Sequence, residues 1–534
     1  DGTAHIGLIR AQGDGSTDSA SELTDGVVKI DAEDLIVDRR DDTEANIIAT
    51  GAILNAGVDD GVGAPDNGIG DIGTSDNPFE TEISRLEADV IGGGIWLDNV
   101  GDMQIGNISS QLGARADGTI DISVAGTLTI NENVVSDNLI PLTYVSLDAT
   151  DDIVVNAGIL SNSADVTLKA GFDPATTGDI WMANGSFVDA SDGLIDLVAQ
   201  GDILLSYLRT TTQVDVDAKF GGIYDNGDAD PEVVASAVQL SAASDIGVGA
   251  NGAIETNVDF LEASSDTGSI FIDDQGGVII GDILEVAKIG VLALPFNTLL
   301  NGVQASQRIR ITTTGFMRVK EDVVSENADV ELETIDSNVM TLLPAVDGID
   351  AVSAIDGSDD DEDLMVQENS TIRAATSITL LAGDDMYIEE GSTLTTDDTT
   401  DADGLNGDEI NDTIILRIDH GDADDALGID DIDGNDANNA VNVGARLDLF
   451  GAVSTTTFLI TGERDDDTFH LSPESLSGHT QVFGDISDAA GGTDTFILDH
   501  LPNLATSHNR PGHVMADGTD GIVLDTIDLD GLGG

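Results

Sequence analysis

The chain has 534 residues, of which 102 are Asp or Glu and only 19 are Lys or Arg, a formal charge of −83. Such a charge repels nucleic-acid phosphates and anionic membrane surfaces, so neither is expected as a partner. There is no cysteine, which excludes disulfides, thiolate metal sites and a cysteine nucleophile.

The chain is 40% hydrophobic but only 4% aromatic, so its core must be aliphatic. No run approaches the roughly 18 apolar residues of a membrane span. It opens at Asp1 without methionine or signal peptide and stops within a repeat-like stretch, Asp525 to Gly534, as expected for a segment of something longer. Disorder is argued against by the abundance of β-branched and aliphatic residues in regular alternation.

From the N-terminus, Val27-Val-Lys-Ile-Asp-Ala-Glu-Asp-Leu-Ile-Val37 alternates with period two and predicts strand, as does Thr119 to Ile130. Between them, Glu80 to Gly106 returns without a gap as Glu255 to Gly281, an offset of 175 residues. Leu86, Glu87, Ala88, Ile95, Asp98, Gly101 and Gly106 recur, and Trp96 is replaced by Phe271. A second match pairs Gly126–Asn138 with Gly315–Asn327 at 189, and a third pairs Asp151–Gly158 with Asp384–Gly391 at 233. The growing offset predicts loops inserted between matching strands.

Self-similarity at a fixed period marks a chain built by stacking units. A finer beat lies inside it: Asp152-Ile153, Asp179-Ile180 and Asp202-Ile203 each precede an apolar pair. Repeats of about 20–27 residues with short strands suit the rungs of a parallel β-helix. Gly and Asp at a common phase would form the corners, where positive φ is expected. The predicted fold is therefore all-β: a right-handed parallel β-solenoid with superrepeats at 1–200 and 201–397. A third region, 398–534, is rich in Asp and Gly and is expected to form a β-roll or sandwich.

The Gly-Asp-Ile-apolar-apolar element, followed by Asp165-Val-Thr-Leu168, resembles bacterial exoproteins of the filamentous-haemagglutinin type over residues 25 to 400. After 400 the element Asp-Thr-apolar-x-Leu recurs at Asp412, Asp467, Asp494 and Asp525. It is similar to calcium-binding RTX β-roll repeats, although Gly462-Glu-Arg-Asp-Asp-Asp467 keeps only the first Gly and last Asp of that pattern. The two resemblances imply an extracellular, surface-bound repeat protein.

Calcium is the ligand that suits this chemistry, because it takes six to eight oxygens from carboxylates and carbonyls in loops. The candidate ligands are Asp401, Asp403 and Asp408; Asp465, Asp466 and Asp467; and Asp485, Asp488 and Asp494. Asp359 to Asp363 reads as a solvated loop inserted in the second superrepeat. Five of seven histidines (His470, His479, His500, His508 and His513) fall near the C-terminus without metal-ligand spacing and read as surface or structural groups. Trp96 and Phe271, each within an apolar strand, are expected in the core. Arg39, Arg40, Arg308, Arg310 and Arg318 show no shared cluster. No nucleophile elbow, P-loop or zincin motif occurs, so an enzyme is not expected.

The sequence thus points to an extracellular structural or adhesive repeat protein of a bacterial cell surface, a segment of a fibre or self-assembling filament. Its expected partners are further copies of itself, head-to-tail or lateral, or surface and matrix glycans. A calcium-dependent surface-layer or biofilm-matrix protein and a carbohydrate-active β-helix enzyme are the alternatives.

Overall fold

Alternation along each strand sets its two faces. In Ile120–Ala125, Ile120, Ile122 and Val124 are buried while Asp121 and Ser123 turn outward. The computed structural model describes residues 2–11, 26–39, 43–58, 70–109, 113–137, 143–172, 177–227, 231–249, 252–283, 300–335, 363–396, 412–418, 445–462, 467–472, 476–483, 495–498 and 514–516. Among these residues every regular element is a strand and there is no helix.

The strands pair in parallel, and through most of the first unit each pairs with the third strand on. Ile120–Ala125 pairs with Tyr144–Ala149, which pairs with Asp165–Ala170, then Ile195–Ala199, then Gln213–Ala218. Between the first two run Leu128–Ile130 and Val134–Ser136, which stack in turn on Ile153–Val155 and Gly158–Ser161. Three strands make one turn of a parallel β-solenoid, as the repeat pattern predicts. Inward side chains register from rung to rung: Leu97, Ile122, Leu147, Leu168, Leu197, Val216 and Leu240 form one buried aliphatic stack.

The chain divides into two compact units between Gly247 and Val248. The second unit has its own stack: Ile272, Ile311, Leu332, Leu380, Leu416 and Ile460. Past residue 398, Thr413–Arg417, Arg446–Leu449 and Ala452–Thr461 pair in parallel with Ser377–Leu381, Met386–Ile388 and Thr393–Thr396. Those described strands continue the parallel stack of the second unit. The reason is phase: the Asp-Thr-apolar-x-Leu element places Phe469 and Leu471 on Leu447 and Leu449, continuing the inward rows.

At one corner the Gly-Asp-Ile beat becomes an aspartate ladder. Asp152 Oδ1 accepts the Asp179 N–H at 3.0 Å, Asp179 Oδ1 accepts that of Asp202 at 2.8 Å, and Asp202 Oδ1 accepts that of Gly222 at 2.9 Å. The steps are 27, 23 and 20 residues. The glycines here differ from expectation. Gly178 and Gly201 do not have positive φ. They are required because the previous rung lies too close: a Cβ on Gly178 would overlap the Asp151 carbonyl, and one on Gly201 the Asp179 carboxylate.

The sequence duplication is a structural one. Gly106 and Asn107 take φ of 99° and 63°, and their counterparts Gly281 and Asp282 take 100° and 65°. Glu87, fully buried, accepts the Ile108 N–H at 2.8 Å, and Glu262 accepts that of Ile283 at 3.2 Å. The residues that raise the offset from 175 to 189 fall between Ile283 and Leu300, beyond this description.

Candidate functional site

A solenoid of three strands per turn offers function three outer faces and the corners between them. On one face of the first unit, outward positions register as Trp96 and Asp98, then Asp121 and Ser123, then Ser146 and Asp148, then Thr167 and Lys169. The Tyr144 hydroxyl donates to Asp121 Oδ2 at 2.8 Å. Burial pushes the Asp121 and Asp98 carboxyls up, and the charge of Asp121 adds to the rise at Asp98. Asp148 is pushed up to about 6 by burial, opposed by Lys169 and reinforced by Asp121 and Asp196. Burial, then the Asp121 charge, takes the Tyr144 phenol up to about 12. Further along the face Asp196, Asp215 and Asp217 are buried; Gln213 donates to Asp215 at 2.6 Å and Lys219 pairs with Asp217. Burial thus makes Asp98, Asp121 and Asp148 weaker acids than ordinary carboxyls.

Trp96 and Phe271 lie outside the core, contrary to expectation. Ile95 and Leu97 point inward, so period two turns Trp96 outward beside Asp98; Phe271, between Ile270 and Ile272, registers against Arg310. The Trp96 ring lies over Gly94, whose missing side chain makes room for it. The phase shared with Asp98 was the available signal.

The arginines also differ from expectation. Glu331 sits between Arg308 and Arg310, with Arg310 Nε 3.1 Å away; Arg310 also reaches Glu333 at 3.1 Å, and Arg308 reaches Asp329 at 3.0 Å. Sequence distance concealed a cluster that rung stacking creates, because positions 21 and 23 residues apart become neighbours.

Of the nine candidate calcium ligands, Asp467 is the one among the described residues; Asp401, Asp403, Asp408, Asp465, Asp466, Asp485, Asp488 and Asp494 lie outside them. Asp467 is fully buried at the corner preceding Thr468–Leu471. Asp412, its counterpart in an earlier Asp-Thr element, is also buried, and its carbonyl accepts the Thr455 hydroxyl at 3.0 Å. Asp363 directly precedes the strand Leu364–Val366 and accepts the Asp385 N–H at 3.3 Å; 359–362 lie outside the described residues. His470 faces Asp448 with Nδ1 at 3.2 Å and meets Phe450 edge-on, centroids 5.1 Å apart. His479 lies in the strand Leu476–Phe483, and His500, His508 and His513 fall outside the described residues.

A second candidate surface lies at another corner of the first unit. The turn from Ala183 to Ser186 is closed by the Ser186 N–H on the Ala183 carbonyl at 2.8 Å, with Gly185 at φ 82°. Phe187 and Tyr207 follow at the same outward position of adjacent rungs and register directly. The Phe187 ring lies across Gly158, where any side chain would collide with it. With Asn184, Ser186, Ser206 and Val234, these rings line a groove of about 470 Å³. That volume is in the range of small-molecule sites. Sequence reasoning missed it. In so aromatic-poor a chain, aromatics directly preceding Val188 and Leu208 at matching strand positions were the usable sign.

No family model matches this chain, and neither a curated protein nor a solved structure resembles it significantly. Among the described residues no helix is long and apolar enough to cross a membrane.

Proposed function

We propose that this chain is an extracellular structural and adhesive repeat protein of a bacterial cell surface, a segment of a fibre or self-assembling filament. The observation that carries this reading is the regular stacking of parallel rungs within each unit. A parallel stack presents unpaired strand edges at its ends, and those edges template pairing with another copy unless capped. Its partners are then further copies of itself and the glycans of cell surface or matrix. The protein acts by contact and not by turnover.

Electron microscopy of the purified chain, with calcium and then with excess chelator, tests this. Filaments or sheets are expected; isolated monomeric particles in both conditions would count against assembly. Assemblies that dissolve in chelator would shift the reading to a calcium-cemented surface layer or biofilm matrix. One observation favours a catalytic second reading: the raised carboxyl of Asp148 beside Asp121 and Lys169 on an outer face. Turnover of a polysaccharide that disappears in Asp148→Asn would establish it.

A further inference from the structure

We propose that the groove at Phe187 and Tyr207 binds a short neutral oligosaccharide, an assignment that gives the adhesive reading above a site and a ligand class. Phe187 and Tyr207 register directly on adjacent rungs, whose backbones lie about 4.8 Å apart, and both are half-buried at outward positions. A pyranose ring has an apolar C–H face of matching dimensions that packs on an aromatic ring, while its hydroxyls radiate from the edge. The groove supplies partners for those hydroxyls: the Asn184 amide offers two donors and an acceptor, and the Ser186 and Ser206 hydroxyls can act as either.

Ser186 is an independent sign. The residue is 1% exposed, yet among the described residues its hydroxyl has no hydrogen-bond partner. Buried polar groups are satisfied in the great majority of cases, and exceptions call for a specific reason. Ser186 belongs to the groove lining, where a bound hydroxyl or a water carried with it supplies what the fold does not.

Charge selects among sugars. Among the described residues none that lines the groove is ionisable in the physiological range: they are Asn184, Gly185, Ser186, Phe187, Ser206, Tyr207, Pro231 and Val234. An acidic glycan would find no cation among the described lining residues and would meet the repulsion of a chain carrying −83. A cationic ligand would find no carboxylate among the described lining residues. An uncharged ligand with alternating apolar faces and hydroxyl edges is what remains.

The test is calorimetric titration of the intact chain with cellohexaose, mannohexaose and laminarihexaose, with oligogalacturonate as the acidic comparator. At least one neutral probe is expected to bind, and oligogalacturonate to bind at least about tenfold more weakly. Tyr207→Ala is expected to weaken the neutral probe by about tenfold or more, Tyr207→Phe much less, with the urea midpoint confirming that each variant is folded. Asn184→Ala, in an exposed turn where folding is not at stake, should also weaken binding. Failure of all three neutral probes, or equal affinity in Tyr207→Ala, would overturn the assignment. So would binding of a proline-rich peptide in place of the sugars. Microscopy on the same samples separates the two readings: assembly without sugar binding refutes the groove alone, and sugar binding without assembly supports the groove while refuting the filament.

Discussion

Asn99 and Asp274 occupy the same position of the duplicated segment, and each holds the end of its strand by similar bonds. Asn99 Oδ1 accepts the Thr81 hydroxyl and the Ile83 N–H, both at 2.9 Å; Asp274 Oδ1 accepts the Thr256 hydroxyl at 2.8 Å and the Val258 N–H at 3.1 Å. The second atom differs in sign. Asn99 Nδ2 donates to the Gly101 carbonyl at 2.8 Å, whereas Asp274 Oδ2 accepts the Gly276 N–H at 2.9 Å. The turn follows the chemistry: Gly101 takes φ 86°, and Gly276 is not in that region. Burial pushes the Asp274 carboxyl up to about 7, against the pull of its hydrogen bonds and with help from Asp259. A raised folded value means that the folded chain keeps a proton the unfolded chain releases. The associated stability is present below the ordinary value of 3.8 and is lost as pH rises through about 7. Asp274→Asn is expected to remove this loss, since Gly276 can adopt the geometry of Gly101. The urea midpoint of the variant should gain on the native chain as pH is raised across that window; a constant difference would contradict the assignment.

Among the elements, the aspartate corner shows how a short motif is converted into geometry. Parallel rungs lie about 4.8 Å apart, so each corner backbone passes close over the one before it. Glycine at Gly178 serves that approach, and the carboxylate of Asp152 satisfies the N–H that the turn leaves outside the ladder. Gly178→Ala needs no left-handed backbone but meets the Asp151 carbonyl and the Gly171 nitrogen, and is expected to lose about 1–3 kcal/mol. Urea unfolding measures this; an unchanged midpoint would show that the corner yields. Strand existence and phase were legible in the sequence here, because period two and the recurring Asp-Ile pair state them directly. The fate of Trp96 was not, since an apolar strand with aliphatic neighbours on both sides reads as core until its register is known.

For the whole molecule, 102 acidic side chains set the dominant long-range force. Some are neutralised locally, by Arg308 and Arg310 on the second unit or by Lys219 on the first. Others are made less acidic by burial, as Asp121 and Asp148 are. Most remain as net charge, which opposes compactness. Raising the salt concentration shortens the screening length from about 30 Å at 0.01 M to about 3 Å at 1 M. The urea midpoint is therefore expected to rise across that range. A midpoint indifferent to salt would mean that the carboxylates are already compensated by bound cations.

The sequence by itself determined the class of fold, the stacking of repeats, the aliphatic core and the sign of the electrostatics. These follow from local period, composition and self-similarity, which folding leaves intact. Only the tertiary structure decided which residues twenty or more positions apart become neighbours: Arg310 on Glu331, Tyr144 on Asp121, Phe187 on Tyr207. Rung length varies with the loops between strands, so no fixed spacing announces those pairs. The stack brings them together one rung at a time.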